Sequence, residues 1–154
     1  VLALDIDIRE HNKKEILNNP FSKYIEMLEG SSIDKKIIDK VHHIAKDYKK
    51  IMIFLDSNHT HEHCLAELNA YAKLTSVGSY IVAFDTVIEY LPDNHLPNDS
   101  NPSIADARTY KKGDNPMSAV IEYLKNNDDF EIDSKIDNKL LISVAPNGYL
   151  KRIK

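Results

Sequence analysis

The chain contains a single cysteine, no cluster of lysine and arginine, and no apolar run long enough to cross a bilayer. Each lack excludes something. One cysteine, Cys64, rules out an internal disulfide and fits a reducing compartment. The densest basic groups, Lys49-Lys50 and Lys151-Arg152-Lys154, read as solvated ends. With a formal charge of −4 they argue against a nucleic-acid surface, which normally carries a basic face. A membrane helix needs about 20 apolar residues in a row, and no basic segment followed by a signal-like core opens the chain. The cytoplasm is the default expectation. The first residue is Val1 rather than methionine, and it stands inside a strand-like run. The expectation is an N-terminally incomplete sequence.

What is present suits one folded domain over residues 1–154. A length of 154 residues with 42% apolar and 29% charged residues matches an ordinary globular chain with a buried core. Val1 to Ile8 reads as a strand and Tyr24 to Leu28 as another. From Asp34, the residues Ile37, Ile38, Val41, Ile44, Ala45 and Tyr48 form one helical stripe. The apolar run Ile51 to Leu55 suits a parallel strand buried on both faces. A helix over His63 to Leu74 then turns Leu65, Leu68, Ala72 and Cys64 inward, and Ser79 to Phe84 resumes as strand.

From residue 89 to 115 the pattern breaks at Pro92, Pro97 and Pro102, and a long loop is expected over the active site. Asn115-Pro116 is a good helix start, with Met117, Val120, Ile121 and Leu124 on the buried face. Phe130 to Ile132 and Leu140 to Val144 are expected as two closing strands, an antiparallel pair. The alternation gives an α/β fold with a mostly parallel sheet covered by helices, and no internal repeat.

In such sheets ligands sit at the carboxyl ends of the strands. Those ends read Asp5 and Asp7, then Glu29-Gly30-Ser31-Ser32, then Asp56-Ser57-Asn58-His59, then Asp85-Thr86. Taken singly, an aspartate there caps the following helix. Taken together, Asp56 and Asp85 lie one strand–helix–strand unit apart, which puts them on neighbouring strands. Two carboxylates so placed suit Mg²⁺, which prefers oxygen ligands and could acidify a substrate hydroxyl. His59 stands where a general base would reach that hydroxyl; its alternative is a surface histidine at a helix entrance. The run His59-Thr60-His61-Glu62-His63 offers a third reading, a zinc hydrolase using the three histidines.

Several blocks resemble the cephalosporin hydroxylase family. They are Leu4-Asp5-Ile6-Asp7-Ile8-Arg9, Leu28-Glu29-Gly30-Ser31-Ser32, and Phe54-Leu55-Asp56-Ser57-Asn58-His59-Thr60-His61. Ala66-Glu67-Leu68-Asn69-Ala70-Tyr71, Gly78-Ser79-Tyr80-Ile81-Val82, Asp85-Thr86 and Pro146-Asn147-Gly148-Tyr149-Leu150-Lys151-Arg152 continue the likeness in order.

The resemblance implies a Rossmann-like class I methyltransferase fold and S-adenosylmethionine-dependent O-methylation of a sugar or small-molecule hydroxyl. It implies that Asp5, with Asp7 as fallback, holds the ribose hydroxyls. Gly30, Ser31 and Ser32 then contact the adenine, and Asp56 is counted with the cofactor site as well as with the metal. Asp56 and Asp85 match Mg²⁺ ligands, and His59 matches a catalytic base. Where the family often has Glu-Asp, this chain has Phe84-Asp85, one ligand fewer. The family's first strand and glycine loop are not matched, so the strands ending at Asp5 and Asp56 are not expected to be neighbours. A non-catalytic binding module is the alternative function, and a homo-oligomer is among the expected assemblies.

Overall fold

The computed structural model describes residues 1–92 and 110–154. Most of the loop expected over 89–115, including Pro97 and Pro102, therefore lies outside the described residues. The described chain is α/β, with parallel and antiparallel strand pairs in two sheets. Strand β1 (Leu2–Asp5) pairs in parallel with β2 (Glu26–Glu29), joined by helix α1 (Glu10–Asn18) and a 3₁₀ turn at Ser22–Tyr24. The second sheet has the order β3-β4-β6-β5, with β3 at Ile53–Leu55, β4 at Tyr80–Ala83, β5 at Phe130–Ile132 and β6 at Tyr149–Arg152. Strands β3 and β4 are parallel, while β6 runs antiparallel to both β4 and β5. As expected, β1 and β3 are not partners.

Helix α2 (Lys35–Ala45) starts where the Asp34 side chain accepts from Lys36 N, and its Ile38 and Val41 pack against the core. Helix α3 (His61–Tyr71) is capped by Thr60, whose hydroxyl accepts from His63 N, and continues as a 3₁₀ turn at Ala72–Leu74. Helix α4 (Pro116–Lys125) opens with a reciprocal capping box between Asn115 and Ser118, with proline in its first turn. Leu68, Ile81, Val82, Val120 and Leu150 are fully buried, each worth roughly 1.5–3 kcal/mol of hydrophobic stabilisation. They join α3, α4 and the second sheet. Among the described residues, no helix is long and apolar enough to cross a membrane.

Four expectations need correction. Leu140 to Val144 is not a strand. Asp133 accepts from Lys135 N and starts helix α5 (Ser134–Leu140) instead. Leu141 then takes a positive φ of 62°, and Leu141 and Ile142 are 86% and 92% exposed. The closing strand is β6, which buries Leu150. An apolar run makes a strand only where the fold supplies a face to cover it. Strand β3 is likewise not buried on both faces: Leu55 is buried but Phe54, on the opposite face, is exposed. Ile121 points away from the buried face of α4, where Ala119 and Tyr123 take its place. Tyr48 lies beyond the end of α2 and is exposed.

Two devices hold the ends of β4 and α4. A Cβ on Gly148 would fall 2.2 Å from the carbonyl oxygen of Ala83, the last residue of β4. Only glycine lets that chain approach so closely. The fully buried Asn115 donates from Nδ2 to Glu89 (2.6 Å) and to the Lys111 carbonyl (2.8 Å), while its Oδ1 accepts from Met117 N. Glu89 also accepts from Gly113 N at 2.9 Å. The bonds from Asn115 and Gly113 hold the Glu89 carboxyl below the usual glutamate range.

Gly148→Ala should therefore destabilise the fold by about 1–3 kcal/mol, the usual cost of forcing an extra carbon into packed structure, as read by denaturant unfolding. Glu89→Ala should destabilise most near neutral pH. A lowered folded-state pKa stabilises above the unfolded value, and that stability fades as pH falls through the folded one. The gap in melting temperature between wild type and variant should narrow on acidification; a gap that stays constant down to strongly acid pH would remove the charge from this account.

Candidate functional site

The parallel register pairs Leu55 with Ala83, so β3 and β4 end side by side. The next link is a hydrogen bond from Phe84 N to the Leu55 carbonyl at 3.0 Å. Asp56 follows directly on β3. Asp85 comes two residues after β4, with φ 55° and ψ 22° in the left-handed region. Aspartate tolerates that conformation better than most residues, at a cost of about 1–2 kcal/mol. Such strain often marks sites where side-chain direction matters.

His59 lies between the two acids. Its Nε2 is 3.0 Å from Asp85 Oδ2 and 3.5 Å from Asp56 Oδ1. The His59 side chain is only 15% exposed, whereas that of Asp56 is 64% exposed. One ligand atom from each of the three residues lies within 4.8 Å of the others. The ring of Tyr110 lies tilted beside that of His59, with centroids 5.7 Å apart.

The helix-cap alternative for the aspartates does not hold. Thr60 caps α3, and Asp85 makes no side-chain hydrogen bond to cap the 3₁₀ turn Thr86–Tyr90. Phe84, where the resemblance implies a second acid, meets Phe54 in a tilted ring pair with centroids 6.0 Å apart. It adds no ligand.

The zinc reading fails on geometry. His61 meets Ser118 Oγ through Nδ1 (2.8 Å) and Glu122 through Nε2 (3.1 Å), which ties α3 to α4. His63 faces Ser32 and Glu67. His61 and His63 sit in the first turn of α3, where successive side chains are turned by about 100° and diverge around the axis, and His59 lies before the helix cap Thr60. Among the described residues, the group able to share an ion is Asp56, His59 and Asp85, not the three histidines.

The first sheet brings its own residues together. Gly30 N donates to the Asp5 carbonyl at 2.8 Å, joining the ends of β1 and β2. Gly30 has φ 148°, and a Cβ there would fall 2.7 Å from Ile37 Cδ1. Asp5 Oδ1 accepts from Asp7 N, and the Asp7 carboxylate lies 3.8 Å from Arg9. Both acids are exposed. Ser31 gives its carbonyl to Asp34 N, and the Ser32 hydroxyl meets His63 Nε2 at 3.0 Å.

Sequence reasoning missed Glu67. It is buried on α3, 10 residues from the hydroxyl of Ser57 that donates to it. The available signal was a charged residue on the same helical face as Cys64, Leu68 and Tyr71.

The family model described as rhamnosyl O-methyltransferase/CmcI matches residues 1–153. Rhamnosyl O-methyltransferases of Mycobacterium bovis (strain BCG / Pasteur 1173P2) and Mycobacterium tuberculosis (strain ATCC 25618 / H37Rv) are each 32% identical over 127 residues. Those alignments cover 81% of this chain and 46% of each relative, so the chain spans about half the length of the curated relatives it matches. A solved structure of the MycE methyltransferase from the mycinamycin biosynthetic pathway, in complex with Mg and SAH, aligns with a TM-score of 0.47 at 17% identity. It covers 79% of this chain and 26% of that one.

Proposed function

The chain belongs to the rhamnosyl O-methyltransferase/CmcI family, and from that premise we propose that it carries the metal and acceptor side of an S-adenosylmethionine-dependent O-methyltransferase. The acceptor is a hydroxyl of a sugar or of a small molecule. We take the likeness to the cephalosporin hydroxylase family as another view of this same lineage. The observation that carries the reading is the meeting of Asp56, His59 and Asp85 at the carboxyl ends of two adjacent parallel strands.

The donor set fits Mg²⁺. The two carboxylates are hard oxygen ligands, and ligands about 2.1 Å from one ion lie at most about 4.2 Å apart, within a small side-chain rotation of the 4.8 Å spread seen here. Asp56 and Asp85 would hold the ion, while Phe84 leaves room for water or substrate rather than a third carboxylate. When bound, Mg²⁺ supplies Lewis-acid polarisation of the acceptor hydroxyl, and S-adenosylmethionine supplies the methyl group.

His59 Nε2 faces the same space and would take the proton of the acceptor hydroxyl, whose oxygen would gain the methyl group with S-adenosylhomocysteine as the co-product. Asp5 would hold the ribose hydroxyls, with Asp7 as its alternate, and Gly30, Ser31 and Ser32 would line the adenine. Most of the rate comes from holding donor and acceptor in line.

Calorimetry with Mg²⁺ and with S-adenosylmethionine, followed by a methylation assay, tests the reading. Asp56→Asn and Asp85→Asn should each abolish metal-dependent methylation. His59→Ala should keep Mg²⁺ binding and lower turnover by roughly 10²–10⁴-fold. Asp5→Ala should weaken S-adenosylmethionine by about 1.5–3 kcal/mol, the range for a hydrogen bond to a charged group; an unchanged affinity transfers the role to Asp7. A protein that binds neither ligand is the non-catalytic module, and the enzyme reading is then lost.

A further inference from the structure

Glu67 stands on the buried face of α3 with its carboxylate only 4% exposed. Its neighbours on that face are Cys64, Leu68 and Tyr71. A carboxylate taken out of water costs several kcal/mol unless paired and hydrogen-bonded, and an apolar residue of similar shape would often do as well for stability. Packing alone does not account for it.

Its partners lie in two directions. Toward β3, the Ser57 hydroxyl donates to Glu67 Oε1 at 2.7 Å, and Ser57 is the residue after Asp56. Toward β2, His63 one helical turn earlier brings Nε2 to 3.6 Å from the same Oε1 and to 3.0 Å from Ser32 Oγ. The hydroxyl of Tyr71, one turn later, donates to the Ser32 carbonyl. Burial first and the Glu67 charge second push the Tyr71 hydroxyl up to about 12, which keeps it a donor.

Strands β2 and β3 belong to different sheets. Among the described residues no strand–strand ladder sets the loop after β2 against the loop after β3, and this side-chain network bridges them.

We propose that Glu67 is a positioning residue: one buried carboxylate sets both the Ser32 loop that meets the cofactor and the Asp56-Ser57 strand end that meets the metal. The inference rests on the ligand assignments under Proposed function. Through Ser57 the carboxylate fixes the direction in which the chain leaves β3, and hence where Asp56 presents its oxygens. Through His63 it fixes the Ser32 hydroxyl. Neither contact touches a reacting atom.

The test measures affinities for Mg²⁺ and for S-adenosylhomocysteine separately by calorimetry, with thermal unfolding recorded for each variant. Glu67→Gln keeps the shape but removes the charge that strengthens the Ser57 hydrogen bond and faces His63. It should weaken both ligands by about tenfold or more, the usual effect of removing a group that orients a metal ligand. Ser57→Ala should weaken Mg²⁺ alone, and His63→Ala should weaken S-adenosylhomocysteine alone. If Glu67→Gln does not fold, the two single-arm variants carry the test by that crossed pattern.

A Glu67→Gln protein that melts earlier but binds both ligands within twofold of wild type overturns the proposal. So do single-arm variants that weaken both ligands equally. Wild-type protein that binds neither ligand overturns the enzyme reading and takes this inference with it. Wild type that binds both, beside an unaffected Glu67→Gln, removes this inference alone.

Discussion

The parallel pairing of β3 with β4 is the constraint on which the site depends. Parallel strands in register end on the same side, so whatever residues follow Leu55 and Ala83 must share one edge. Asp56 and Asp85 reach that edge with different backbone geometry, one straight off its strand and the other after a left-handed turn. The offset lets both carboxylates face one imidazole. Antiparallel β6 then backs β4 and, through Gly148, presses against the carbonyl that precedes Phe84 and Asp85. The same strand that completes the core also holds the exit of the strand that carries a candidate ligand.

Polar groups are buried here in organised sets. Asn115 uses both ends of its amide to start α4 and to bind Glu89. Thr86 is fully buried and donates to the Pro146 carbonyl at 2.7 Å. Glu67 gathers Ser57 and, with His63, Ser32. Each of these joins segments apart in sequence, and none lies within a strand. Buried polar networks are costly when incomplete and restrictive when complete. Their placement fixes loops whose backbone has no ladder to hold it.

The family match runs over residues 1–153, and the two sheets divide the proposed work between them. The pair β1-β2 carries the acids and glycine assigned to the donor, and β3-β4 carries those assigned to the metal and acceptor. Methyl transfer requires the two sets to be held at a fixed separation, because a small misplacement of in-line groups costs rate steeply. Helix α3 contacts both, through His63 and Tyr71 on one side and Glu67 on the other.

The sequence by itself determined the class of fold, the existence of five of the six strands among the described residues and the helix start at Asn115, because periodicity and capping are local properties. It also located Asp56, His59 and Asp85, since strand ends in an alternating α/β pattern can be counted from the chain. Tertiary structure alone decided the remainder. Leu140 to Val144 looked like a strand by composition, yet its apolar side chains found no covered face, and Tyr149–Arg152 took the place between β4 and β5. The three histidines at positions 59, 61 and 63 looked like one cluster, but His59 stands before the helix cap and faces the two aspartates, while the turn of α3 sends His61 and His63 to different partners. Glu67 carried no assigned role in the sequence, and packing buries it between two loops. A residue's neighbours along the chain set its local conformation, but which distant groups it meets depends on how the elements pack.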